Sequence, residues 1–268
     1  MPVRGLSAAA MRGKGAIVGK WSINVLLGSL LALGSVSVVQ AAELQVIAGG
    51  GIAGALNEIA GLFERASGHK VVIRYGTAPE LIKMATSGAP FDVGVVPQDV
   101  WKDSAARAQV APAPTPDVAR VGLGVAVRTG APKPDISTAE ALKQTLLKAQ
   151  SIASIPASAT GAQLAGIYER LGISDEMKAK TKTQPAPKQI AEAVANGEAE
   201  LAVFTLNVLI HPRLDVVGPF PAEVQREVVY AVGVAANSRE PEAAKAFVAY
   251  LTSPPAIAVI KAAGMNPG

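Results

Sequence analysis

Small residues and hydroxyls gather at four points of this chain where a short apolar run gives way to helical spacing. The first is Ala48-Gly49-Gly50-Gly51-Ile52-Ala53-Gly54, directly behind the apolar residues 44–47. Glycines there let a ligand, or the chain itself, come close to the backbone, and the free N–H groups at a helix start attract anions. Gly76-Thr77-Ala78-Pro79, Ser158-Ala159-Thr160-Gly161 and Thr205-Leu206-Asn207 repeat the theme. Four such junctions facing one cleft would receive a small anion. Each also has a plainer reading. The glycine run could be a tight turn, Thr77 forms a capping box with Glu80, and Thr160 could cap a helix starting at Gly161.

Covalent and metal chemistry find few residues to work with. The chain has no Gly-x-Ser-x-Gly, no His-Glu-x-x-His, no Gly-Lys-Ser/Thr phosphate loop and no Asp-rich calcium loop. It has no cysteine and only His69 and His211, both in turn-like settings. The glycine spacing is not that of a dinucleotide fingerprint. Carboxylates scatter over expected helix surfaces. No cofactor, no metal and no catalytic set is therefore expected, and the chain reads as a non-enzyme.

Of the 268 residues, 50 % are apolar and 17 % charged, which excludes an intrinsically disordered chain. The formal charge of +4 sits at the front: Arg4, Arg12, Lys14 and Lys20 stand without an acid in the first 41 residues. The rest carries 21 basic against 21 acidic residues, so no nucleic-acid surface is expected. Basic residues, then an apolar stretch over 25–39, then Val39-Gln40-Ala41, make the pattern of an export signal. Cleavage after Ala41 would leave about 227 residues in the periplasm. Met11 could be the true start. An uncleaved anchor is the alternative, weakened by Asn24 and Gln40, and without cysteine no lipid can be attached there.

These junctions need elements to position them. Apolar residues 44–47, 71–75 and 92–96 read as strands, and Leu56, Ile59, Ala60 and Phe63 line one face of a helix closed by Gly68. The proline-rich 110–117 reads as a connector, after which 119–127 forms a long strand. Strand and helix alternate again, with helix ends at Gly172 and Gly197 and strands at 151–155 and 201–204. A second long apolar strand, 226–235, precedes two closing helices. The result is α/β, each lobe a mostly parallel sheet flanked by helices. Residues 42–122 and 236–268 form the first lobe, 123–235 the second, and the two long strands cross between them as a hinge around 122–127 and 230–233.

The stretch Ile47-Ala48-Gly49-Gly50-Gly51-Ile52-Ala53-Gly54-Ala55-Leu56-Asn57-Glu58-Ile59-Ala60 resembles the periplasmic molybdate-binding proteins of ABC importers. So do residues 63–70 and 87–93, and the tail over 241–254 and 261–264. The likeness covers most of 44–268 and is loosest between about 110 and 200. It implies a type II periplasmic binding fold, two lobes closing on a ligand, an ABC permease in the inner membrane as partner, and a monomer without catalysis. It also implies that the tail returns to the first lobe. In that family a serine follows the first strand where this chain has Gly51, a second serine stands where it has Ala78, and a tyrosine where it has Thr205. Each lost donor to a buried oxyanion costs about 1–3 kcal/mol, and the smaller residues free space for a larger ligand such as an organic acid. The expected contacts are Gly50, Gly51, Thr77, Ala78, Thr160, Gly161, Thr205 and Asn207. The expected function is an exported receptor for a molybdate-like or related small anion. The alternatives are an organic-acid receptor of the same fold and a sensory binding protein without transport.

Overall fold

The computed structural model describes residues 41–268, which form one compact unit. The expected export segment lies outside the described residues. The chain opens with β1 (Glu43–Gly49), α1 (Ala53–Ser67), β2 (Lys70–Gly76), α2 (Ala78–Thr86) and β3 (Val93–Pro97). Both β2 and β3 pair with β1 in parallel. A single short helix, α3 (Ser104–Arg107), and the proline connector then lead into the twelve-residue β4 (Asp117–Arg128).

Strand β4 serves two sheets at once. Its first half, through Gly122, pairs with β9 (Glu227–Val234), while Leu123 to Val127 pair with β7 (Leu201–Thr205). Beyond this point lie α4 (Ala139–Lys148), β5 (Ile152–Ser154), α5 (Ala159–Leu171), α6 (Ser174–Lys180), β6 (Thr181–Thr183) and α7 (Pro187–Ala195). After β7 come the one-turn α8 (Leu206–Leu209) and β8 (Leu214–Pro219), which returns along the far half of β4. The order across the continuous sheet is β2-β1-β3-β9-β4-β7-β5-β6. Each half keeps a group of three parallel strands, and antiparallel pairing enters with β4, β8 and β9.

The second crossing differs from the expected one. Strand β9 pairs along its length with β3 and the first half of β4, so it belongs wholly to the first half. It is apolar because it is a central strand buried on both faces, not because it spans the molecule. The return occurs earlier, between β8 and β9. There the Gln225 side chain accepts from Leu123 N–H at 2.9 Å and donates to Leu123 C=O at 3.0 Å. One amide thus ties the second crossing to the first, at the residue where β4 changes partners.

Helices cover both faces of each half. Phe63 of α1 packs its ring 5.0 Å from Phe247 of α9 (Pro241–Leu251), and α10 (Pro254–Ala262) adds Val259 and Ile260 to the same core as Leu44, Val46 and Leu56. A final short strand, β10 (Asn266–Pro267), pairs with β4. The closing helices and β10 thus pack on α1, β1 and β4. On the opposite face, Ile47, Leu81, Phe91 and Trp101 form a second core, and two more clusters flank the second half. Buried Asp92 stitches the return in place, accepting from Gln45 N–H, the Ser238 hydroxyl and Arg239 N–H at 2.8, 2.7 and 3.0 Å. His69 accepts the Ala42 N–H through Nδ1, which gives it a structural place.

Local signals were mostly in register. The helices before Gly68 and Gly172 end in left-handed glycines with φ of 76° and 67°. Thr138 caps α4 by accepting from Ala141 N–H. Helix α6 and strands β6 and β8 carried no legible period, being three to seven residues long.

Candidate functional site

A cavity of about 270 Å³ opens between the two halves. From the first half it is lined by Gly49, Gly50 and Gly51, by Tyr75 to Ala78, by Glu80, and by Pro97 and Tyr230. The second half contributes Ile155, Ser158 to Thr160, Pro185 to Pro187, and Phe204. Four helical starts meet here. The 3₁₀ turn Gly50–Ile52 leads into α1, Thr77 precedes α2, Ser158 precedes α5, and Ala186 precedes α7. Unpaired N–H groups and aligned peptide dipoles at such ends favour an anion.

Among the described residues no Lys or Arg lines the cavity, so a bound anion would rest on backbone N–H groups and neutral hydroxyls. The charged side chain at the wall is Glu80, and it is engaged. Its carboxylate accepts from Thr77 N–H at 2.7 Å and from the Thr77 hydroxyl at 2.9 Å, which holds its carboxyl below the usual range. Tyr75 donates to Asn57 Oδ1 at 2.8 Å, and burial pushes its phenol up to about 12. Burial likewise raises the Tyr230 phenol, so it stays a neutral donor at any physiological pH.

Gly50, Gly51, Thr77, Ala78 and Thr160 thus stand at the cavity wall. Gly161, Thr205 and Asn207 do not. Ser158 is the cap of α5, accepting from Gly161 N–H at 3.0 Å, so Thr160 lies inside the first turn with its side chain buried at the cavity. Gly161 is bare for packing: a Cβ there would overlap the carbonyl oxygens of Ile155 and Pro156. Thr205 is fully buried behind Phe204, its hydroxyl without a partner. Asn207 instead reaches across the halves and donates to the Gly51 carbonyl at 2.7 Å.

The glycine run has a spatial explanation. None of Gly49, Gly50 and Gly51 has positive φ. A Cβ on Gly49 would come within 2.9 Å of Pro97 and 3.0 Å of the Tyr230 ring, and one on Gly51 would overlap the Tyr230 hydroxyl. A Cβ on Gly50 would press at 3.3 Å on Pro187 of the other half. Sequence reasoning missed Tyr230 as a site residue. Its signal was present only as unexplained glycines some 180 positions away, because the residue that needs the space comes from a distant strand.

Among the described residues, no group of three or more His, Cys, Asp or Glu side chains could hold a metal ion. A family model described as bacterial extracellular solute-binding protein matches residues 44–266. A protein named aconitate isomerase, from a Pseudomonas species, is 36 % identical over 254 residues, covering 91 % of this chain and 96 % of that one. The molybdate-binding protein ModA of Azotobacter vinelandii is 27 % identical over 228 residues, covering 84 % and 90 %. The solved structure of the Azotobacter vinelandii periplasmic molybdate-binding protein superposes with a TM-score of 0.69 at 23 % identity, covering 83 % of this chain and 98 % of that one.

Proposed function

The chain belongs to the bacterial extracellular solute-binding proteins, and from that premise we propose that it closes its cleft over a small organic acid in the periplasm and hands it to an ABC permease. The observation that carries this reading is the cavity itself. Its ≈ 270 Å³ is room for about nine water-sized groups, whereas a tetrahedral oxyanion has five heavy atoms. Gly51 and Ala78 add no hydroxyl to it, which leaves a bare oxyanion short of donors. A di- or tricarboxylate fills more of the space and spreads its charge over several helix starts from both halves. The name of the 36 % identical relative points to the same ligand class.

Binding would shift the molecule toward a closed form only through contacts made to both halves at once. The two crossings tied by Gln225 are the hinge in this reading. A thermal-shift series on the purified exported protein tests it, with cis- and trans-aconitate, citrate, molybdate, tungstate and sulfate. At a hundredfold excess over Kd a true ligand adds about 2.7 kcal/mol. Stabilisation by a tricarboxylate and not by molybdate is the expected result. Stabilisation by molybdate or tungstate alone sinks the organic-acid reading and leaves an oxyanion receptor.

A second reading, favoured by the relative named as an isomerase, is that the cleft also moves a double bond within such an acid. That chemistry needs one group to take a proton and one to give it. Glu80 is the carboxylate at the wall, and its two bonds from Thr77 make it a weak base. Proton NMR of cis-aconitate incubated with the protein decides between receptor and enzyme. Appearance of the trans isomer at a rate proportional to protein concentration would establish turnover.

A further inference from the structure

We propose that Tyr230 supplies the hydroxyl that meets the ligand on the first half of the cleft, and that Gly49 and Gly51 are bare so that it can stand there. The proposal rests on the reading of this cavity as the ligand site. It adds a contact that none of the four strand-to-helix junctions contains.

Three observations converge on it. First, the residue is placed to reach the ligand: Tyr230 lies on β9 between β3 and β4 and lines the cavity together with Pro97 and the glycine run. Second, the chain has cleared two positions for it. Gly49 leaves space for the Pro97 and Tyr230 rings together and Gly51 for the hydroxyl, although neither needs glycine for its backbone angles. A conformational reason for those glycines is absent, so the steric one stands. Third, the hydroxyl has the right chemistry. A buried phenol seeks a partner, and this one lines the cavity with its hydroxyl over the place a Cβ on Gly51 would occupy. A ligand oxygen entering the cavity is the acceptor that remains.

The consequence is a choice of cargo. A side chain at 51 and the hydroxyl of Tyr230 exclude each other, so the cleft carries either a short donor rising from the loop or a long one coming from β9.

Binding of trans-aconitate and of molybdate to the wild-type exported protein, Tyr230→Phe, Gly51→Ala and the double variant, measured by calorimetry, tests the contact. Tyr230→Phe keeps the ring and removes the donor. It is expected to lose about tenfold or more in affinity for whichever probe the wild type binds, because a hydrogen bond to a charged acceptor is lost. Wild-type affinity in Tyr230→Phe overturns the contact. Should the wild type bind molybdate and not aconitate, the organic-acid reading fails while the Tyr230 contact is still read on molybdate. Binding of neither probe overturns the contact as stated. Melting temperatures without ligand test the steric half independently. Gly51→Ala should lower the melting temperature when Tyr230 is present and do so much less in the Tyr230→Phe background. Equal losses in both backgrounds would show that the glycine is bare for another reason.

Discussion

At the scale of single residues, the junctions combine structural and binding roles, and the two are separable. Thr77 and Glu80 form the reciprocal cap of α2 while lining the cavity. Thr77→Ala should cost about 1 kcal/mol of stability as a lost cap, measurable by urea titration. Because the Thr77 backbone N–H and hydroxyl hold the Glu80 carboxyl below its ordinary value, the ionised form is favoured in the folded state. That stability is fully present at neutral pH and is lost as pH falls below the normal carboxylate range through the folded value. Glu80→Gln is therefore expected to flatten the acid limb of a melting-temperature profile below the ordinary carboxylate range, and a profile parallel to wild type would count against the bonds. Thr205 behaves differently. Its hydroxyl is buried and unpaired, so Thr205→Val should be neutral or stabilising and should leave ligand affinity unchanged.

At the scale of elements, α8 acts at a distance from its own half. One turn after β7, Asn207 donates to the Gly51 carbonyl and so fixes a loop that lines the cavity. Asn207→Ala should weaken ligand binding severalfold without removing any direct contact, with small-angle scattering showing a larger radius for the free protein. Unchanged affinity and radius would reduce the bond to a surface detail. The start of α5 is less tolerant. Gly161→Ala would drive a methyl into two carbonyl oxygens, and a loss of about 1–3 kcal/mol is expected from overpacking. Much of this scale was readable in advance, because capping residues, left-handed glycines and the 3.6-residue period act within a few positions of one another. Ser158 rather than Thr160 as the cap shows the limit: both are hydroxyl residues before a helix, and only the strand leading in decides which one has extended backbone.

At the scale of the whole molecule, one residue joins the two crossings. Gln225 bonds both backbone groups of Leu123, where β4 leaves the first half's partners for the second's. Gln225→Ala would leave the Leu123 N–H without its partner in a partly buried position, while the Leu123 C=O keeps the Phe220 N–H at 2.9 Å. The expected outcome is a melting temperature lower by several degrees, as about 1–3 kcal/mol implies for a chain of this size, with faster amide exchange at Leu123 than in the cores of either half. The proline connector and the tail were visible as composition and as likeness to known receptors. The place of the second crossing was not, since an apolar strand looks the same whether it spans two lobes or fills the centre of one.

The amino-acid sequence by itself determined the α/β class, the strand-to-helix junctions rich in glycine and hydroxyls, and the likeness to known binding proteins. All three rest on local periodicity, local capping and family likeness. Tertiary structure alone decided which junction residues reach the cavity. It placed Gly50, Gly51, Thr77, Ala78 and Thr160 at the wall, turned Thr205 inward, and gave Asn207 to the Gly51 carbonyl. It also brought Tyr230 over a glycine run some 180 residues earlier. No sequence period couples positions so far apart. Their contact exists only because β9 inserts between β3 and β4, one strand removed from β1, which runs into those glycines.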